Sequence, residues 1–327
     1  MIPPSLPAEL KAALEQALHR LPRDAAATRA AAISQTYRDG GNSSPIKTTT
    51  DALAYAGARM PATYAAVAAS LNALREIRPD FAPRTLLDVG AGPGTASWAA
   101  AQAFDTLQSF TLLDANTALR ALALTLAQGS PLAGADYQLG DARKLLGGAP
   151  DAALVIASYV INELDDKARD DFADAAWRKT SDTLLIVEPG TPAGYARILA
   201  VRARLIAQGA RVIAPCPHEH ACPLTAPDWC HFVQRLPRSR LHQHLKGAEL
   251  PYEDEKFIYL ALSRTAPPSR PSRVLTQPVQ TKVAITAKLC TPQGLDHAVA
   301  PRRDKPSYAR FRRLSWGDTI STDTARE

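Results

Sequence analysis

Three of the chain's four cysteines, Cys216, Cys222 and Cys230, lie in the stretch APCPHEHACPLTAPDWCHF, 214–232, beside His218, His220 and His231. The fourth, Cys290, follows after 59 intervening residues. Thiolates are soft ligands, and four of them hold a tetrahedral zinc or an iron–sulfur cluster. The spacing C-x5-C-x7-C lacks the short CxxC knuckle of zinc ribbons. Prolines follow Cys216 and Cys222; they stiffen the loop and remove a competing N–H donor. Residue types alone leave zinc and cluster both open, and either His218 or His220 can replace one thiol. The plain alternative is four buried free thiols.

A second stretch carries different chemistry. In LLDVGAGPGTASWAA, 86–100, an apolar run ends at Asp88 and a turn follows with Gly90, Gly92 and Gly94. Glycine lets a backbone take positive φ and approach a ligand closely. A pyrophosphate-binding turn reads GxGxxG; here the spacing is GxGxG with Pro93 inside. That variant resembles motif I of class I S-adenosylmethionine (SAM) methyltransferases. SAM has no phosphate to cradle; it has an ammonium, a carboxylate and a ribose. Asp88 can attract the ammonium. Asp114, ending the next apolar run, can accept both ribose hydroxyls. Asp141 stands where the adenine amino group is met, and Ser158 lies near the end of the fourth run, 152–160. Asn162 and Glu163 follow it, as candidates for the reaction centre. Asp114, Asp141 and Asn162 also have plain readings as helix caps or turn residues. The Pro-Pro motif of enzymes that methylate exocyclic base amines is absent from SYVINEL.

These residues need strands that end beside them. RTLLDVG (84–90), SFTLLDAN (109–116), DYQLGDA (136–142), AALVIASYV (152–160) and DTLLIVEPG (182–190) read as short buried strands with helices between them. Such alternation predicts a parallel sheet covered on both faces. KFIYLALSR, SRVLTQ and KVAITAKL read as further, antiparallel strands. Residues 6–36 and 49–77 read as helices, the second interrupted at Pro61. The expected fold is α/β: a class I SAM-methyltransferase (Rossmann-like) doubly wound sheet, with a helical N-terminal extension and a Cys-rich C-terminal insertion. The expected parts are a helical extension at 1–80 and a SAM-binding core at 81–210. The Cys-rich loop, with strands completing the sheet and a basic surface, follows at 211–318, and a frayed tail at 319–327.

The chain has 327 residues, 46% of them apolar, enough for a sizeable core. Its net charge is +6. Residues 1–196 hold 17 Lys+Arg against 21 Asp+Glu, a balance of −4, and residues 197–327 hold 21 against 11, a balance of +10. A lopsided basic half points to a polyanion, with RNA the commonest, or to a solubilising surface. Arg235, Arg238, Arg240 and Lys246 form one candidate footprint. Arg302, Arg303, Lys305, Arg310, Arg312 and Arg313 form a second. No apolar run of about 18 residues is free of charge, so no membrane partner is expected. The N-terminus lacks a basic n-region and an apolar core. A monomer in the cytosol is expected, where clustered cysteines point to metal or catalysis rather than to disulfides.

The combination of ARMPATYAA, LLDVGAGPGT, SYVINEL, VEPGTPAGY, the cysteine stretch, LKGAELPYEDEKFIYLAL and LSWGD, over about 40–318, resembles a family of SAM-methyltransferase-like proteins. That family is associated with the small ribosomal subunit; its best-known members are mitochondrial, and bacteria carry shorter relatives. The resemblance implies a SAM pocket and a 4Fe–4S cluster on four cysteines, matching Cys216, Cys222, Cys230 and Cys290. It also implies a role in small-subunit maturation, with rRNA as the partner. The family often has Glu where this chain has Asp114, which keeps the carboxylate. The competing readings are a non-catalytic SAM-binding assembly factor and a small-molecule methyltransferase with a structural zinc.

Overall fold

The computed structural model describes residues 1–321. Three helices come first: α1 (Ala8–Leu18), α2 (Arg23–Arg38) and α3 (Thr49–Ile77). The alternating core follows as β1 (Thr85–Val89), α4 (Thr95–Ala103), β2 (Ser109–Asp114), α5 (Thr117–Leu126), β3 (Asp136–Leu139), α6 (Ala142–Gly148) and β4 (Ala152–Ser158). After a short 3-10 turn at Ile161–Glu163 come α7 (Asp166–Lys179), β5 (Thr180–Pro189), α8 (Pro192–Ala207) and β6 (Arg211–Ala214). The C-terminal part holds β7 (Phe232–Pro237), α9 (Arg240–Lys246), β8 (Tyr252–Ser263), β9 (Ser272–Val274) and β10 (Val279–Gln280). It ends with β11 (Ala284–Thr291), β12 (Gly294–Pro301), α10 (Lys305–Phe311) and β13 (Thr319–Ile320).

The large sheet runs β3-β2-β1-β4-β5-β8-β6, with β7 also paired to β8. Strands β1 to β5 pair in parallel, and β8 enters antiparallel between β5 and β6. One face is covered by α3, α4 and α5 with the other N-terminal helices, and the other by α6, α7 and α8. Strands β6 and β7 lie end to end along one edge of β8: Ala214 pairs with Ala261, and Phe232 with Phe257. The cysteine stretch is therefore a loop whose two ends are pinned four residues apart on β8.

Helix α3 is the central N-terminal element. A Thr48–Asp51 capping box starts it, satisfying orphan N–H groups at its first turn. Apolar residues are buried around its whole circumference, and it packs on α2, α4 and β8. Pro61 does not interrupt it, contrary to expectation. Burial on all sides offsets the one hydrogen bond that proline removes. The expected single helix at 6–36 is two, because Pro22 has no N–H to donate and forces an extended entry to α2.

The C-terminal strands also differ from expectation. Of the three C-terminal strands expected from the sequence only β8 joins the large sheet, where β6 and β7 pair with it. Strands β9 to β13 form a separate sheet, β10-β11-β9-β13 with β12 on β11, around its own small core of Val274, Ile285, Leu289 and Phe311. Local pattern gives strand type but not which sheet a strand joins. Thr319 and Ile320, placed in the expected tail, pair with β9. The remainder of that tail, 322–327, lies outside the described residues.

Candidate functional site

The glycine turn follows β1 as its sequence requires. Gly90, Gly92 and Gly94 have φ of 73°, 55° and 81°, the left-handed region. At Gly90 a second constraint applies: a Cβ would stand 2.5 Å from Val160 Cγ2. At Gly92 the nearest atom would be 3.9 Å away, so backbone conformation alone demands glycine there. The turn is tied to its neighbours. Gly90 N donates to Leu113 O at 2.8 Å, and the Tyr137 hydroxyl donates to Gly92 O at 2.6 Å. Asp114 Oδ2 accepts from Gly92 N at 2.8 Å and its Oδ1 from Asn116 N at 2.7 Å.

Four acidic side chains stand at these strand ends. Asp88 is fully buried. Its Oδ2 accepts from Ser97 N and Oγ at the start of α4, and its Oδ1 has no partner. Burial pushes it up to about 7. Burial also raises Asp114. Glu163 is pushed up to about 7, first by burial and then by repulsion from Asp114. Glu188, ending β5 and also fully buried, is pushed up to about 8 by burial. Its Oε1 accepts from Ile161 N at 3.0 Å and its Oε2 has no partner. Asn162 Oδ1 is likewise buried and unpartnered. Buried acceptors without donors are rare in folded proteins and call for a ligand or water.

The N-terminal helices reach this site. Tyr37 of α2 stands beside Glu163 and lies 6.0 Å, centroid to centroid, from Tyr55 of α3. Arg59 of α3 and the Tyr159 hydroxyl share Glu255 Oε1, at 3.3 and 2.8 Å. Tyr159 itself sits just past β4 with φ of 59°, a strained conformation for a bulky residue and one that clusters at functional sites. Tyr37, Tyr55, Arg59, Tyr159 and Glu188 were not singled out from the sequence. Only VEPG, following an apolar run, carried a local signal for Glu188. The others arrive from distant helices, or through a backbone angle that residue type does not announce.

Asp141 and Ser158 lie at the margins of this group. Asp141 caps α6 and pairs with Arg143, whose guanidinium holds the carboxylate below its usual range. A groove of about 470 Å³ opens beside it, lined by Arg143, Lys144, Asp165 and Lys167. Ser158 is the last residue of β4, half-buried and paired with Val187.

The four cysteines form a second site. Cys216, Cys222, Cys230 and Cys290 line one cavity with Tyr195, Arg202, Tyr259 and Arg273. Cys290 comes from β11 of the small sheet, so the cavity spans both sheets. Tyr195 Oη donates to Cys222 Sγ at 3.2 Å, and His218 Nε2 lies 3.5 Å from Cys290 Sγ. Burial raises Cys216 and Cys230 and pushes Cys290 up to about 12, with the neighbouring thiols adding to each shift. Among the described residues no three His, Cys, Asp or Glu groups are set as ligands for one metal ion. The thiols share a cavity wall rather than a single coordination sphere. Trp229 stacks on His231 and donates to Gly190 O at 3.1 Å, which ties the loop to the β5–α8 turn.

The basic candidates divide into two groups. Arg235 makes two 2.8 Å hydrogen bonds to Asp254 and lies over the Tyr252 ring. Arg238 and Lys246 both pair with Glu253. Carboxylates of β8 therefore neutralise three of the first group, and Arg240 is exposed at the start of α9. Arg302, Arg303, Lys305, Arg312 and Arg313 are all exposed on the small-sheet module.

A parallel sheet with one reversed strand, a left-handed glycine turn after β1 and an acidic residue ending β2 define an α/β protein of the class I methyltransferase type. Within that class the chain belongs to the Rsm22 family: the profile described as mitochondrial small ribosomal subunit Rsm22 matches residues 49–321. It is 32% identical over 289 residues to the human ribosome assembly protein METTL17, mitochondrial, covering 82% of this chain and 62% of that one. It is 23% identical over 363 residues to the Rsm22-cox11 tandem proteins 1 and 2, mitochondrial, of Schizosaccharomyces pombe, covering 94% of this chain and 48% of each of those. The chain thus spans less than two thirds of the length of these curated relatives.

Among solved structures, magnesium protoporphyrin IX methyltransferase from Synechocystis PCC 6803 with bound SAM is 13% identical. Its TM-score is 0.40, over 66% of this chain and 84% of that one. An O-methyltransferase family protein from Burkholderia thailandensis is 15% identical with a TM-score of 0.42, over 67% and 60%. Likeness at that level adds nothing to the fold assignment, which rests on the strand order. The cytosolic location expected from the N-terminus is overturned: the family description and the curated relatives are mitochondrial.

Proposed function

We propose that this chain binds SAM at the glycine turn and engages small-subunit ribosomal RNA during ribosome assembly. The observation that carries the reading is the set of buried, unpartnered acceptors, Asp88 Oδ1, Asn162 Oδ1 and Glu188 Oε2, around a left-handed glycine turn. An ammonium supplies the donors such oxygens lack, and a sulfonium the positive charge that the carboxylates favour. Asp114 keeps lone pairs free for ribose hydroxyls beyond its two backbone donors. When bound, SAM supplies an electrophilic methyl group; Asn162 and Glu163 are the candidates to orient an acceptor.

Binding without methyl transfer is the second reading. Tyr37 stands beside Glu163, and no Pro-Pro motif follows β4. The human relative is named for ribosome assembly. Calorimetry with SAM, followed by labelled-methyl transfer to small-subunit rRNA and to assembly particles, separates the two. Binding with transfer supports an rRNA methyltransferase, and binding without transfer supports an assembly factor. No SAM binding overturns the pocket.

A 4Fe–4S cluster on Cys216, Cys222, Cys230 and Cys290 completes the proposal. The donor set of four thiols on one cavity suits it. The space between them is about 20 Å³, room for one water, so taking up a cluster moves the loop outward. The loop can do so, because residues 225–228 at its tip are exposed. Ligation would then turn binding free energy into folding free energy for a segment with no helix or strand of its own. RNA engagement is assigned to Arg302, Arg303, Arg312 and Arg313, whose charges face water rather than a carboxylate.

A further inference from the structure

Two buried arginines at the cysteine cavity are poorly balanced: among the described residues Arg202 has no carboxylate partner, and Arg273 has only a long ion pair to a half-exposed one. Arg202 of α8 and Arg273 of β9 are 4% and 2% exposed, and both line the cavity. Arg202 Nη2 donates to His218 O at 2.6 Å, and its Nε is buried with no partner. Arg273 donates to Pro215 O at 3.3 Å and to Gly317 O at 2.8 Å. Its nearest carboxylate, Glu76, stands 3.9 Å away and is half exposed. Among the described residues Arg202 has no ion pair at all. A buried guanidinium held mainly by carbonyls is costly, because its charge is desolvated with little to oppose it. Two such groups, from two different elements, facing the same four thiols, mark a place where negative charge is expected.

The chemistry of the thiols supplies that charge. Four thiolates around a 4Fe–4S core leave a net charge of about −2. We infer that Arg202 and Arg273 are the counter-cations of the metal–thiolate centre and that, with Tyr195 donating to Cys222, they set its reduction potential and its retention. The inference rests on the cluster reading above. It adds which residues outside the ligand set govern the centre, and in which direction. A positive charge near a cluster favours the more negative, reduced state, and a hydrogen bond to a ligating sulfur acts in the same sense. Arg202 and Arg273 are positioning residues, not ligands. Their placement also explains why the small sheet docks where it does: β9 brings Arg273 and β11 brings Cys290 to one cavity.

The test uses the full chain purified without oxygen. Iron and sulfide are measured first, then the midpoint potential by dye-mediated titration with an electron paramagnetic resonance readout, and the half-life of the visible band under a chelator. Arg202→Met and Arg273→Met are each expected to shift the midpoint to more negative values and to shorten the chelator half-life several-fold. Arg202→Lys and Arg273→Lys should recover most of both. Tyr195→Phe, a milder change at a half-buried residue, should shift the midpoint the same way by less, and it keeps the question answerable if a Met variant fails to fold. Met variants that hold iron and sulfide at the wild-type midpoint and half-life would overturn the counter-cation role while leaving the cluster standing. Wild-type protein without iron and sulfide would overturn the cluster reading, and this inference with it.

Discussion

The two buried polar centres carry opposite imbalances. At the glycine turn the surplus is of acidic groups and acceptors: Asp88, Asp114, Glu163 and Glu188 gather at the strand ends, and three acceptor oxygens there have no donor. At the cysteine cavity the fixed charge is positive, from Arg202 and Arg273, and is offset only by a long, 3.9 Å ion pair from Arg273 to the half-exposed Glu76. On the proposed reading, one centre suits a cation and the other an anion. The difference teaches that an unbalanced buried charge describes the ligand it awaits, since burying such a charge alone is unfavourable.

The comparison can be broken most severely at the thiols. Cys222→Ser should abolish an iron-dependent absorbance near 400 nm and lower the melting temperature by several degrees, because the 215–231 loop loses its organising centre. SAM affinity should fall far less. An unchanged spectrum and melting curve would show that the anionic half of the contrast is wrong. At the other centre, Gly92→Val puts a β-branched residue at positive φ, a strain of about 1–3 kcal/mol, in the turn proposed to hold SAM. Calorimetry should show at least a tenfold loss of SAM affinity with iron content intact.

The exposed basic residues come next. Arg312→Glu with Arg313→Glu should weaken RNA binding about tenfold or more at moderate salt and flatten its salt dependence, measured by fluorescence anisotropy at several ionic strengths. Arg238→Glu should act differently. It sets a second carboxylate against the mostly buried Glu253, so a stability loss of about 2 kcal/mol in urea unfolding is expected, with little direct effect on RNA.

The smallest effect is in pH. Asp88, Glu163 and Glu188 bind protons more tightly folded, near 7 to 8, than their ordinary values of 3.8 to 4.5. Their contribution to apoprotein stability is full below about pH 4 and is lost as pH rises through 7 to 8. Glu188→Gln should flatten that decline in a melting series from pH 5 to 9. SAM should stabilise the wild type more at pH 8 than at pH 6, because ionised carboxylates favour the cation.

Legibility in the sequence tracked distance along the chain. Asp88, Gly90, Gly92, Gly94 and Asp114 could be read together because each stands at a strand end and the strand pattern was local. Tyr37 and Tyr55 could not, because nothing in α2 or α3 says which strand ends those helices will cover. Arg235 and Arg238 read as free cations because Asp254 and Glu253 face them only once β7 pairs with β8. Pro61 read as a break because its surroundings, buried on every side, belong to the packed state.

By itself the sequence determined the alternation of strands and helices, the left-handed turn and the gathering of thiols, since propensity, periodicity and glycine chemistry act over a few residues. Only the tertiary structure decided the rest. It brought Cys290 and Arg273 from a second sheet to the other three cysteines, and Glu188 and Glu163 to the same strand ends as Asp88. It paired Arg235, Arg238 and Lys246 with carboxylates of β8. These outcomes depend on which elements pack together, and packing is set by the burial of whole faces rather than by any residue's neighbours in the chain.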